Sequence, residues 1–131
     1  MRALVLIPLP VASIALGACG TEGVDTSSDD SAQVKQGGEL FAERCGGCHT
    51  LEPAGTQGSG SRTQRVQGPN FDQRKETFDD VLFAIRNGGF SGAIMPQNIV
   101  VGEDAEAVAR FVEEYAGGDV HDPPRPGQDT P

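Results

Sequence analysis

The 131-residue sequence has no Trp, a single Tyr and six Phe. A domain so poor in large apolar side chains gains from a second source of apolar surface, such as a cofactor. It lacks a cationic surface as well. The formal net charge is −9, and nothing offers nucleic acid a basic face. It holds three Cys, two Met and two His, so chemistry that uses sulfur or imidazole has few places to sit. There is no long apolar stretch either. The longest, residues 3–16, falls short of the roughly 20 residues a spanning helix needs, and Pro8 and Pro10 interrupt it.

What is present begins with that N-terminus. "MRALVLIPLPVASIALGACG" has Arg2 followed by an apolar run and small residues, the pattern of an export signal. "LGAC" at 16–19 resembles the lipobox of bacterial lipoproteins. It implies a signal peptide over 1–18, lipid on Cys19, and a protein held at the extracytoplasmic face of a bacterial membrane, periplasmic or cell-surface. If Cys19 carries lipid, Cys45 and Cys48 remain as a dedicated pair.

Acidic charge concentrates in the flanks. Residues 19–33, with Glu22, Asp25, Asp29 and Asp30 and no base, read as an acidic flexible tether. Residues 118–131 are rich in Pro and Gly and read as a disordered tail. The folded domain is expected over 34–117.

Three helices are legible in it. The first runs from about Ala32 to Cys45, with Gly37, Phe41 and Cys45 on one face. Glycine inside a helix costs about 1 kcal/mol against alanine, so Gly37 asks for a reason, and close approach of another helix is one. The second is "TFDDVLFAIRNGG". Thr77 and Asp80 form a capping pair, Phe78, Val81, Leu82 and Ile85 an apolar stripe, and Gly88–Gly89 a stop. The third is "EDAEAVARFVEEYAGG", with the stripe Ala105, Val108, Phe111, Val112 and Tyr115. "NIVV" at 98–101 is the only strand candidate. Residues 51–75 read as a loop, long enough to suggest that it wraps something.

The chemistry gathers at "LFAERCGGCHT". Zinc usually takes four Cys or His ligands. The domain offers Cys45, Cys48 and His49, and the other histidine, His121, lies among prolines in the tail. A thioredoxin-like redox pair needs a βαβ context, which is missing. C-x-x-C-H is the attachment signature of c-type haem. Two thiols about one helical turn apart can add to two vinyl groups along one side of the porphyrin. The adjacent imidazole can then turn to the iron, and Gly46 and Gly47 remove bulk beside the ring. Met95, in "SGAIMPQ", is the one methionine left once Met1 departs with the signal.

"GGELFAERCGGCHT", "GPNF", "IRNGGFSGAIMPQ" and "AEAVARFVEEYA" follow one another in the order and rough spacing of small class I c-type cytochromes of bacteria, a resemblance that covers about 34–117. It implies an all-α cytochrome c fold, three to four short helices wrapped around one covalent haem c. Cys45 and Cys48 resemble the thioether cysteines, His49 the proximal iron ligand and Met95 the distal one. Pro69 resembles the proline whose carbonyl accepts the Nδ1 proton of His49. Gly37 and Phe41 with Val108 and Phe111 match the crossing of first and last helices. The stretch 50–67, with "GTQGSGSRTQ", is longer than compact members need. Arg62, Arg65, Arg74 and Lys75 make this region locally positive, as a solvated face, a docking patch or a partner for haem propionates.

The function implied is a one-electron carrier rather than an enzyme. Its partners would be redox proteins, with a quinol–cytochrome c reductase or dehydrogenase as donor and a terminal oxidase as acceptor. The alternative is a haem enzyme of peroxidase type, or a gas-binding haem module, in which Met95 is displaced.

Overall fold

The structure is a computed structural model that describes residues 23–58, 68–90 and 95–120. Cys19, Arg62, Arg65 and His121 lie outside the described residues.

Helix α1 spans Ala32–Arg44. Ser31 caps it, its Oγ accepting from Val34 N–H at 3.2 Å. At the other end the N–H groups of Cys45 and Gly46 both donate to Phe41 O. Helix α2 spans Phe78–Asn87. Thr77 Oγ1 accepts from Asp80 N–H, and the Thr77 hydroxyl donates to the Asp80 carboxylate at 2.8 Å. Gly88, left-handed at φ 74°, ends the helix by returning its N–H to Ala84 O. Helix α3 spans Gly102–Tyr115. Val101 offers it no side-chain cap, and Glu103 and Asp104 in the first turn supply the negative charge that the helix dipole favours there.

The strand candidate at 98–101 does not form a strand. Asn98 sits at φ 54° and breaks the extended run, and its N–H is taken by Ile85 O at the end of α2. The strand pairing lies instead inside the expected loop. Strands β1 (Thr50–Leu51) and β2 (Thr56–Gln57) pair antiparallel, Leu51 opposite Thr56, around a 3-10 turn at Glu52–Ala54 that Gly55 closes at φ 63°. A second 3-10 turn, Phe71–Gln73, is capped by Asn70. With so little strand among the described residues, the fold is all-α.

α1 and α3 cross closely and α2 packs on α3. A Cβ at Gly37 would fall inside the Ala107 carbonyl and 2.9 Å from Phe111 Cβ, so the helices cross with glycine at their contact. Phe41, Phe111, Leu51, Ile85, Val108 and Val112 form the fully buried core. Cys45, at the carboxyl end of the α1 face that carries Gly37 and Phe41, is buried as well.

The segment before α1 differs from the free tether expected. Residues 23–31 lie against the domain. Asp25 N–H donates to Pro53 O at 2.7 Å, and Ser27 N–H to the Tyr115 hydroxyl at 2.8 Å. Tyr115 in turn donates to the Asp30 carboxylate. Val24 packs against Gly38 and the core. The acidic composition hid two ordinary sources of order, an apolar valine and a hydroxyl partner 88 positions away. Beyond α3 the chain also stays attached, with Gly117 N–H bonded to Phe71 O and Asp119 N–H to Asp72 O.

Candidate functional site

The turn after α1 positions three side chains at once. Once the helix ends, Cys48 N–H and His49 N–H both donate to Cys45 O at 3.0 Å. That tight turn puts Cys45 inside, Cys48 at the surface and His49 inside again. Gly46 sits where a Cβ would meet Thr56 and the Ala42 carbonyl, so the turn packs directly on the hairpin.

Among the described residues, His49 is the polar residue that is buried as a whole in the core, 8% exposed. Its Nδ1 lies 3.1 Å from Pro69 O, and its ring stacks on Phe71 with centroids 4.7 Å apart and planes 5° from parallel. Donation from Nδ1 to a carbonyl fixes the neutral tautomer with the lone pair on Nε2, and Nε2 makes no hydrogen bond among the described residues. Burial holds the imidazole below its usual pKa. The Pro69 carbonyl works against that shift, and the Arg74 charge adds to it. A neutral imidazole with a free, desolvated lone pair is what a metal ligand requires.

Gly68 completes the clamp. Its N–H donates to Cys48 O at 2.8 Å. A Cβ there would stand 2.5 Å from His49 Nδ1 and 2.6 Å from Nε2, far inside van der Waals contact with the ring. Any other residue would displace the imidazole or the loop.

These groups line one cavity of about 450 Å³, a size suited to a cofactor. Cys45, Cys48, His49 and Pro69 stand on one part of its wall. Met95 and Pro96, from the segment after α2, are on the lining too. Much of the remaining lining is apolar, including Phe41, Val81, Ile85, Ile99, Val108 and Val112. Cys45, Cys48 and His49, neighbours in sequence, are thus brought together with the distant Pro69 and Met95. Of the helix-crossing residues, Phe41 and Val108 also reach the cavity, while Gly37 and Phe111 act behind it.

The two cysteines are free thiols. Burial, and then the neighbouring Cys48, push the Cys45 thiol up to about 11. A redox-active Cys-x-x-Cys works through a lowered thiol pKa, so the environment of Cys45 opposes that role. Among the described residues no three His, Cys, Asp or Glu side chains converge closely enough to hold a bare metal ion. The site suits a flat apolar group that brings its own metal.

Sequence reasoning missed Gly68, Phe71 and Glu76 as members of the site, and it gives Arg74 only as part of a positive region that could dock a partner or meet haem propionates. The signal for the first two lies in "GPNF", where the resemblance gives a role to the proline alone. Glu76 carried no local signal, because burial of a carboxylate depends on what packs over it.

Comparison with known proteins agrees with the geometry. Residues 32–112 match the family described as cytochrome c oxidase, cbb3-type, subunit III. The chain is 29% identical over 109 residues to cytochrome c-551 of Bacillus subtilis (strain 168), an alignment covering 78% of this chain and 86% of that protein. The crystal structure of the c-type cytochrome SorU from Sinorhizobium meliloti aligns with a TM-score of 0.53 at 38% identity, over 65% of this chain and 92% of SorU.

Proposed function

The chain belongs to the cytochrome c family and is a haem-based electron carrier whose cofactor is covalent haem c, and from that premise we propose that Cys45 and Cys48 attach the haem while His49 and Met95 bind its iron. The observation that carries this reading is His49: buried, neutral, locked through Nδ1 onto Pro69, and on one cavity wall with both cysteines. When bound, the haem supplies a one-electron couple, and every other requirement falls on the polypeptide.

The protein's residues meet those requirements in distinct ways. Pro69 and Gly68 hold the imidazole at one angle, and Phe71 supports its face. Pro96 stiffens the chain beside Met95, and thioether sulfur as a ligand favours the reduced state. Val81, Ile85, Val108 and Val112 exclude water from the cavity. Little needs to move on electron transfer, because both ligands stay in place. A carrier of this kind meets its donor and acceptor, redox proteins such as a quinol–cytochrome c reductase or dehydrogenase and a terminal oxidase, through weak encounters whose rates fall with salt.

Visible spectra of the oxidised and dithionite-reduced holoprotein test the ligation. The expected result is a low-spin spectrum with the weak far-red sulfur-to-iron band when oxidised, and loss of that band in Met95→Ala. A high-spin spectrum without the band would sink His/Met ligation and favour the displaceable-Met95 enzyme or gas-binding alternative.

Cys19 is proposed as a lipidation site, on "LGAC" at the end of an export-type segment. No helix among the described residues is long and apolar enough to cross a membrane. Residues 1–18 would be removed, and the protein would sit at the extracytoplasmic face. Cys19→Ser should release it from membrane fractions. An unchanged distribution would overturn lipidation.

A further inference from the structure

One charged group in the cavity wall is shielded from water. The side chain of Glu76 is 7% exposed, although it lines a cavity walled chiefly by aliphatic and aromatic residues. A carboxylate in such a place is costly unless paired. Its partner is Arg74, whose Nε forms an ion pair with Glu76 Oε1 and whose own side chain is 51% exposed. Arg74 lines the same cavity, and its charge acts on the His49 imidazole. The other charged residues on the wall are Arg44 and Asp80. Arg44 is solvent-exposed and paired with Glu43 at 3.1 Å, and Asp80 is exposed and accepts from the Thr77 hydroxyl. Their fields are screened by water and salt.

We propose that the Arg74–Glu76 pair sets the reduction potential of this cytochrome, Glu76 favouring the oxidised state and Arg74 partly offsetting it. The inference rests on His49 as an iron ligand and adds a tuning element that the ligand set does not supply. The oxidised site carries one more positive charge than the reduced site. A nearby carboxylate therefore lowers the potential and a nearby guanidinium raises it. The two do not cancel. Glu76 acts from a poorly solvated position where charge interactions are strong, whereas half of the Arg74 side chain faces water. The carboxylate wins, and the pair as a whole holds the potential down. Glu76 and Arg74 are positioning residues here, because they act through their charge and transfer no electron.

The test is a mediated redox titration of the covalently loaded wild type and of Glu76→Gln, Arg74→Gln and the double variant, with visible spectra confirming unchanged ligation. At a poise where the wild type is half reduced, Glu76→Gln should raise the reduced-to-oxidised ratio about tenfold, which for a one-electron couple is about 59 mV. Arg74→Gln should lower the ratio. The double variant should fall between the wild type and Glu76→Gln. Shifts of Glu76→Gln and Arg74→Gln in the same direction, or no shift in either, overturn the proposal. If Glu76→Gln does not load haem, Arg74→Gln against Arg74→Lys decides. Lys keeps the charge and should keep the wild-type potential, while equal potentials in the two variants overturn the proposal. A pyridine haemochrome assay of the wild type separates the two levels. Absence of covalent haem there would defeat the attachment reading itself, whereas intact haem and ligation with unmoved potentials would defeat only the tuning role.

Discussion

At the residue scale, the site is built by small constraints on one imidazole. Gly68 is the sharpest of them, because the space a Cβ would need is already occupied by the His49 ring. The obstruction is a packed, hydrogen-bonded ring rather than the end of a flexible side chain. Gly68→Ala should therefore cost about 1–3 kcal/mol, as overpacking does, and weaken the Nδ1 bond to Pro69. Chemical denaturation of the holoprotein checks the stability, and the visible spectrum of the same sample checks the ligation. A variant with wild-type stability and spectrum would show that the loop yields freely. Glycine at 68, proline at 69 and phenylalanine at 71 fall within four consecutive residues of the sequence. Yet only the proline could be given a role there, since contact with a ring 19 positions earlier follows from the fold.

At the element scale, the crossing of α1 and α3 sets the shape of the cavity. Gly37 lies where the backbone of α3 passes, and Phe41, one turn on, contacts both Phe111 across the crossing and His49 at the site. The helix contact and the imidazole are thus joined through one phenylalanine. Two effects compete in Gly37→Ala. Alanine improves helix propensity by about 1 kcal/mol. Overlap with the Ala107 carbonyl opposes it by about 1–3 kcal/mol, and since that obstruction is backbone, the overlap should win. A net loss of about 1 kcal/mol would lower the melting temperature by roughly 4–8 °C in a domain of this size. A higher melting temperature would mean that the helices separate without penalty. The three helices were readable from caps and periodicity because those signals are local. The hairpin at 50–57 was not, because two-residue strands carry no periodicity, and "NIVV" misled because a left-handed Asn98 leaves no trace in an apolar pattern.

At the scale of the whole molecule, the segment 23–31 is part of the fold. Tyr115 at the end of α3 holds it, accepting from Ser27 N–H and donating to Asp30. Burial first, and then the Asp30 carboxylate, raise the phenol above its ordinary value of 10.0. A raised folded-state pKa means that this contribution is fully present below about pH 10 and is lost as pH climbs through the folded value. Tyr115→Phe should cost about 1 kcal/mol at neutral pH and flatten the alkaline limb of the stability profile. Denaturant midpoints measured on both proteins across the alkaline range check this. An alkaline limb as steep as in the wild type would assign that limb to other groups. Lipid on Cys19 would then connect to the domain through the few residues before Gly23, a reach of roughly 3.3–3.6 Å per residue, rather than through a long free tether.

The sequence by itself determined the chemistry of attachment. Cys45, Cys48 and His49 form a local pattern, the order of the four motifs is linear, and helix caps act over three or four residues. Fold class and ligand candidates followed from these because each depends on neighbours along the chain. Only the tertiary structure decided which side chains share the cavity wall with them, that Gly68 and Phe71 grip the imidazole, that residues 23–31 dock, and that Glu76 loses its water. Those outcomes depend on which surfaces meet. Burial belongs to the packed arrangement, and a carboxylate gains its influence on a redox site only when distant parts of the chain close over it.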